Sequence, residues 1–234
     1  MSSSKLLSDS LTDFIDGHVD TVQSGNDPLY SDSAVQRLSR LTRSAETRSG
    51  LIIQRAIVES LKRGPQYTVL TPRSFPVTRE SKRQPDVYDI GVCLSGVHLP
   101  LTEQIGMTEI DLILIRHRDR SAGVYEIRRA NGRLGYRASK ATLLKLAGAQ
   151  MLLRAWIQRE YGIVVDKTTS HLLLYFGNRE DAECNFPPEM LLTRDDMDAH
   201  FGMSLRETVE AANEHYGRKI DEAVASVIKT AKSE

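Results

Sequence analysis

The chain has 234 residues, 40% hydrophobic and 26% charged, which is the make-up of a globular protein and not of a disordered or fibrous one. Thirty-one Lys and Arg balance thirty-one Asp and Glu, so the formal net charge is zero, and a protein that holds nucleic acid by bulk charge alone is excluded. No run of about 18 apolar residues predicts a membrane span. The start, Met1 to Lys5, leads into an acidic amphipathic stretch unlike a signal peptide, and Cys93 and Cys184 show neither zinc nor disulfide spacing. A cytoplasmic protein is the expectation.

Residues 5–23 place Leu7, Leu11, Phe14 and Ile15 for one face of a helix, and Ser24 to Pro28 is a breaker cluster. A second helix is expected over about 33–62, with a break near Ser49-Gly50 and an end at Gly64-Pro65. The period then changes. Tyr67 to Leu70 reads as a strand, 71–86 as a basic loop, and Val87 to Leu94 as strand-like. Ile110 to Ile115 is an apolar β run carrying one acid, Ser121-Ala122-Gly123 a turn, and Val124 to Ile127 a strand. A long helix is predicted from Ser139 as N-cap to Tyr161, with Gly162 as its C-cap. A strand over 170–176 and helices over 194–200 and 204–231 complete the chain. This order predicts an α/β domain with helices packed on a central mixed sheet.

The informative stretch is 109–132. Asp111 begins an apolar strand and Glu126 lies in the next one, so a connecting hairpin with strands about 5 Å apart lets the two carboxylates converge at one end of the sheet. A buried carboxylate pair is costly unless protons or a cation neutralise it, and two hard oxygen ligands suit Mg²⁺. Glu126 and Arg128 are two apart in a strand and share a face, so one strand offers a metal ligand and a cation for phosphate. The plainer alternatives are a turn-capping role for Asp111 and a solvated edge-strand ion pair for Glu126 with Arg128 or Arg129.

The neutral total hides opposed blocks of charge. Residues 37–83 carry eleven Lys or Arg against three Glu, and 116–140 carry eight against two acids. Residues 180–234 carry thirteen acids against six bases, and the first 36 carry six Asp against one Lys. Basic segments around a carboxylate site suit a reader of the phosphate backbone; solvated helix faces are the other reading.

The pattern resembles the PD-(D/E)xK nuclease superfamily, the fold of type II restriction enzymes, RecB-type exonucleases and archaeal Holliday-junction resolvases. Asp111 resembles the Asp of the motif, and Glu126-Ile127-Arg128 resembles its (D/E)xK segment. Gly50-Leu51-Ile52-Ile53-Gln54 is similar to the helix in which resolvase-like members carry a metal-adjacent Glu, and Gln150 is similar to the glutamine of a RecB-like helix. Three departures stand out: Arg128 replaces the motif Lys, Gln54 replaces Glu, and no Pro directly precedes Asp111. Arg keeps the charge and can fork onto a phosphate, but it cannot serve as a general base.

The resemblance implies a restriction-endonuclease-like αβββαβ core over 44–177, a central mixed β-sheet flanked by helices, with helical extensions over 1–43 and 178–234. It implies hydrolysis of DNA with Mg²⁺ or Mn²⁺. Asp111 and Glu126 would hold the metal with the Ile127 carbonyl as third ligand, Arg128 would stand for the Lys, and Gln54 would orient a water. Arg129, Arg133, Arg137 and Lys140 are the candidate phosphate contacts, and a homodimer is left open. The alternative is the same fold with a decayed site, serving as a DNA-binding or assembly module.

Overall fold

The computed structural model describes residues 7–22, 33–87, 90–129, 135–177, 179–181 and 186–231. Its elements in chain order are α1 (Asp9–Val22), α2 (Ser33–Lys62), β1 (Tyr67–Leu70), β2 (Phe75–Thr78), α3 (Arg79–Val87), α4 (Ile90–Leu94) and β3 (Gln104–Thr108). There follow β4 (Leu112–Arg116), β5 (Ser121–Arg128), α5 (Tyr136–Tyr161), β6 (Lys167–Leu174), β7 (Leu191–Thr193), α6 (Met197–Phe201) and α7 (Arg206–Ala231). The chain divides into two compact units, Met1–Ser60 with Ser204–Glu234, and Leu61–Met203. No described helix is long and apolar enough to cross a membrane.

The first unit is helical. Asp16 of α1 meets two groups of α7, His215 Nε2 at 2.9 Å and Lys219 Nζ at 3.4 Å. The Tyr216 hydroxyl donates to Ala45 O at 3.4 Å, and the Arg55 guanidinium lies 5.6 Å from the Phe14 ring. The break expected at Ser49-Gly50 is absent, because α2 runs through it. Glycine in a helix costs about 1 kcal/mol relative to Ala. Here buried Ile52, Ile53 and Ile57 follow at once, and the Ser49 hydroxyl donates to Glu46 O at 2.9 Å.

The second unit is α/β, built on a mixed five-stranded sheet in the order β1-β4-β5-β6-β7. β1, β4 and β5 pair antiparallel, whereas β5, β6 and β7 pair parallel. The switch follows from connection length: a tight turn joins β4 to β5, while α5 carries the chain across to β6, as a parallel neighbour requires. One face of the sheet packs on α5. Strand alternation turns Ile113 and Ile115, Ala122 and Val124, and Leu172 and Leu174 into one core with Leu146, Ala149, Leu153 and Trp156 of that helix.

Tyr125 and His171 face the other way. Their rings lie 5.3 Å apart, and the Tyr125 hydroxyl is 3.0 Å from His200 Nε2. Burial, with the neighbouring His200, lowers the pKa of His171 to about 3, and burial with Arg116 lowers that of His200 to about 4. Both are therefore neutral near pH 7, His171 buried and His200 half-buried. The Tyr125 ring folds back over Gly123, where a Cβ would meet its hydroxyl at 2.6 Å. Gly123→Ala should therefore destabilise the protein by about 1–3 kcal/mol through overpacking, read as a lower urea midpoint at unchanged slope.

Residues 71–94 depart from the expectation of a loop and a strand, for they contain β2, α3 and α4. Thr78 and Ser81 cap α3 reciprocally, Ser81 N–H donating to Thr78 Oγ1 at 3.1 Å and Thr78 N–H to Ser81 Oγ at 3.0 Å. Gly148 lets α3 approach α5 closely, since a Cβ there would stand 2.9 Å from Ser81 O. β2 pairs with β3 in a separate two-stranded ribbon, and neither β3 nor β7 was anticipated. Ser121 to Gly123 is strand and not turn; the turn precedes it, closed by Asp119, which accepts from the Ser121 N–H and hydroxyl. α5 begins at Tyr136, so Ser139 is not its cap: its N–H already bonds Gly135 O at 3.0 Å. The helix ends at Gly162 in the left-handed conformation, φ 67°, as predicted.

Candidate functional site

The β4–β5 register pairs Leu112 with Tyr125, so one further step sets Asp111 against Glu126. By alternation Asp111 shares the face of Ile113 and Ile115, and Glu126 that of Val124 and Ala122. The ladder that builds the α5-facing core thus ends in two carboxylates. Asp111 Oδ2 accepts a 2.8 Å hydrogen bond from the Ile127 N–H, which fixes it at the start of β4. Burial, and then the nearby Glu126, push the Asp111 pKa up to about 6; the Ile127 N–H, Lys145 and Arg128 act against this.

Two cations clasp Glu126, which is itself buried. Arg128 reaches Glu126 Oε1 at 2.8 Å, and Lys145 pairs with Oε2. Lys145 Nζ also donates to Glu109 O at 3.3 Å. Arg128 is about half exposed (47%), while Lys145, rising from α5, is only 25% exposed. Sequence reasoning missed Lys145. The available signal was its place on the inner stripe of α5, four residues before Ala149 and eight before Leu153. A lysine on that stripe needs a partner at the sheet.

Ile127 contributes backbone. Arg128 O accepts from Tyr175 N–H on the β6 side, and successive carbonyls of a strand point to opposite edges. The Ile127 carbonyl therefore faces the β4 side, where Asp111 stands. Among the described residues no three His, Cys, Asp or Glu side chains gather as a metal site. A cation here must use two carboxylates, a carbonyl and water. That all-oxygen set fits Mg²⁺ or Mn²⁺, and a divalent charge would offset the burial and the Glu126 repulsion that together raise Asp111.

Arg129 follows β5 with its guanidinium 5.7 Å from the Phe176 ring. Arg137 and Lys140 are exposed on the first turns of α5. Arg133 lies outside the described residues. Gln54 is half-buried on α2, in the other compact unit. Gln150 is a staple: its amide donates to Leu94 O at 3.0 Å and Thr168 O at 3.2 Å, and its carbonyl accepts from the Ser170 hydroxyl at 2.7 Å.

The raised Asp111 pKa makes a stability prediction. The folded state keeps the Asp111 proton up to about pH 6, whereas a free Asp loses it near 3.8. The carboxylate therefore costs nothing below about pH 4, its cost grows as pH rises to 6, and it is constant above. Asp111→Asn retains an acceptor for Ile127 N–H and should stabilise the metal-free protein by about 2–3 kcal/mol at pH 7.5, with no gain at pH 4. Urea titration in a chelator at the two pH values measures this.

No protein-family model, curated protein or solved structure matches this chain.

Proposed function

We propose that the chain is a metal-dependent nuclease of the PD-(D/E)xK kind, hydrolysing phosphodiester bonds of DNA at Asp111 and Glu126. One observation carries the reading: the β4–β5 register sets two carboxylates side by side next to a backbone carbonyl on the β4 side, and two cations pair with one of them. The order of elements is consistent with it. α2, then β1, β4 and β5, then α5 and β6 follow the αβββαβ sequence, with β2 to β3 as an insertion.

In this reading Asp111, Glu126 and the Ile127 carbonyl hold the divalent ion. When bound, Mg²⁺ supplies an acidified water and polarises the phosphate. Lys145 and Arg128, which tie up Glu126 in the metal-free protein, would turn to the phosphate and stabilise the charge that develops as the water oxygen gives up a proton to solvent and bonds to phosphorus, while the P–O bond to the sugar oxygen breaks and that oxygen takes a proton from water. Arg129, Arg137 and Lys140 bind flanking phosphates. The test is cleavage of plasmid, linear and branched DNA with Mg²⁺ or Mn²⁺. Cleavage that persists in Asp111→Ala overturns the assignment.

A second reading has one observation in its favour. Glu126 is already paired with two cations, so the site can be internally neutral without metal. The chain then acts as a DNA-binding or assembly module. This reading expects salt-sensitive DNA binding, no cleavage, and no rise in melting temperature with Mg²⁺.

A further inference from the structure

Lys145 faces two ways. Besides pairing with Glu126, it lines a groove of about 480 Å³. The walls are the β2–β3 ribbon, α3 and α5, with Phe75, Val77, Ile105, Met107, Leu144 and Ala149 among the lining side chains. The volume falls within the roughly 300–1,000 Å³ of pockets that hold small ligands. The charged side chains on it are Lys82 and Lys145, with no carboxylate.

Ile105 and Met107 are 46% and 55% exposed, two apart on one strand and so on one face. Large apolar side chains left open beside exposed Lys82, with the Lys145 side chain also on the wall, suit a ligand with a flat, weakly hydrated body and an anionic edge. β3 ends on the groove at Thr108 and leads through Glu109 to Asp111, and Lys145 both lines the groove and pairs with Glu126, so the groove opens beside the carboxylate pair.

We propose that this groove holds the base of an unpaired nucleotide next to the scissile phosphate, with Lys82 and Lys145 on the neighbouring phosphates. The inference rests on the nuclease reading and specifies its substrate class. A paired base is stacked inside the duplex, so only one already unpaired enters without the few kcal/mol needed to extrude it. The preferred DNA therefore carries a gap, bubble, flap or single strand at the cleavage point.

The experiment measures fluorescence anisotropy of a labelled 30-base-pair duplex and of the same duplex with a central four-nucleotide bubble. It uses full-length protein carrying Asp111→Asn, in Ca²⁺. The bubble should bind at least about tenfold more tightly, in keeping with stacking worth about 1–3 kcal/mol per base. Met107→Gln, which removes apolar surface without adding charge, and separately Ala141→Trp on the exposed rim of α5, should abolish that preference and leave the affinity for duplex, whose paired bases do not enter the groove, within about twofold. Equal affinity for both DNAs, or a preference that survives both substitutions, overturns the groove assignment and leaves the nuclease reading standing. No binding to either DNA overturns both.

Discussion

Glu126→Gln is expected to lower metal-dependent DNA cleavage by about 10³-fold or more, because a metal centre contributes several kcal/mol to the transition state and each 1.36 kcal/mol is a factor of ten. Gln keeps the volume and an acceptor oxygen, so the core at the end of β5 stays filled. It removes the charge that pairs with both cations and that, in the proposed reading, would hold the metal. Asp111→Ala should match it, since with only two carboxylates converging neither has a substitute among the described residues. Single-turnover cleavage at saturating protein measures the loss without interference from weaker DNA binding. A rate within tenfold of the parent in both variants would reject the carboxylate pair as the catalytic centre.

Lys145→Met should cost more activity than Arg128→Met, about 10²-fold against less than about tenfold. The argument is geometric. Lys145 stands on a helix packed on the sheet, is mostly buried, and is held by both Glu126 and Glu109 O. A cation carried on a packed helix stays at the site as it turns from Glu126 to the phosphate, and loses less side-chain freedom in doing so than an exposed one. Arg128 sits at the end of β5, about half in solvent, where its charge is screened. The two variants should lose DNA affinity to a similar extent, each by one phosphate contact, which anisotropy checks. If Arg128→Met is the more damaging, the motif position on the strand carries the role and Lys145 merely neutralises a buried acid.

Much of this site was legible because it is local. Asp111 and Glu126 are joined by one hairpin, and a two-residue period tells which face each occupies. The helix from 139 to 161, its Gly162 cap, and the strands around 67–70 and 112–116 were legible for the same reason, since periodicity and capping act within a few residues, although the helix starts three residues earlier, at Tyr136. The stretch 71–94 was not. Pro76 inside β2 and Pro85 inside α3 mimic loop residues, and the Thr78–Ser81 cap is an unusual form of a familiar box. Alternation over 87–94 suggested a strand, yet packing against α5 draws residues 90–94 into a short helix.

The sequence by itself determined the mixed α/β class, the zero net charge made of opposed blocks, and the meeting of two acids at one end of a hairpin. Each follows from bond geometry or arithmetic over neighbours. Tertiary structure alone decided which cation completes the site. Lys145 lies nineteen residues beyond Glu126 and reaches it only because the crossover helix returns over the sheet. It likewise decided that β2 and β3 form a ribbon beside that helix, leaving an apolar groove with two lysines. Contacts of that kind depend on how elements pack, and packing is settled by the shape of the whole core and not by any local pattern.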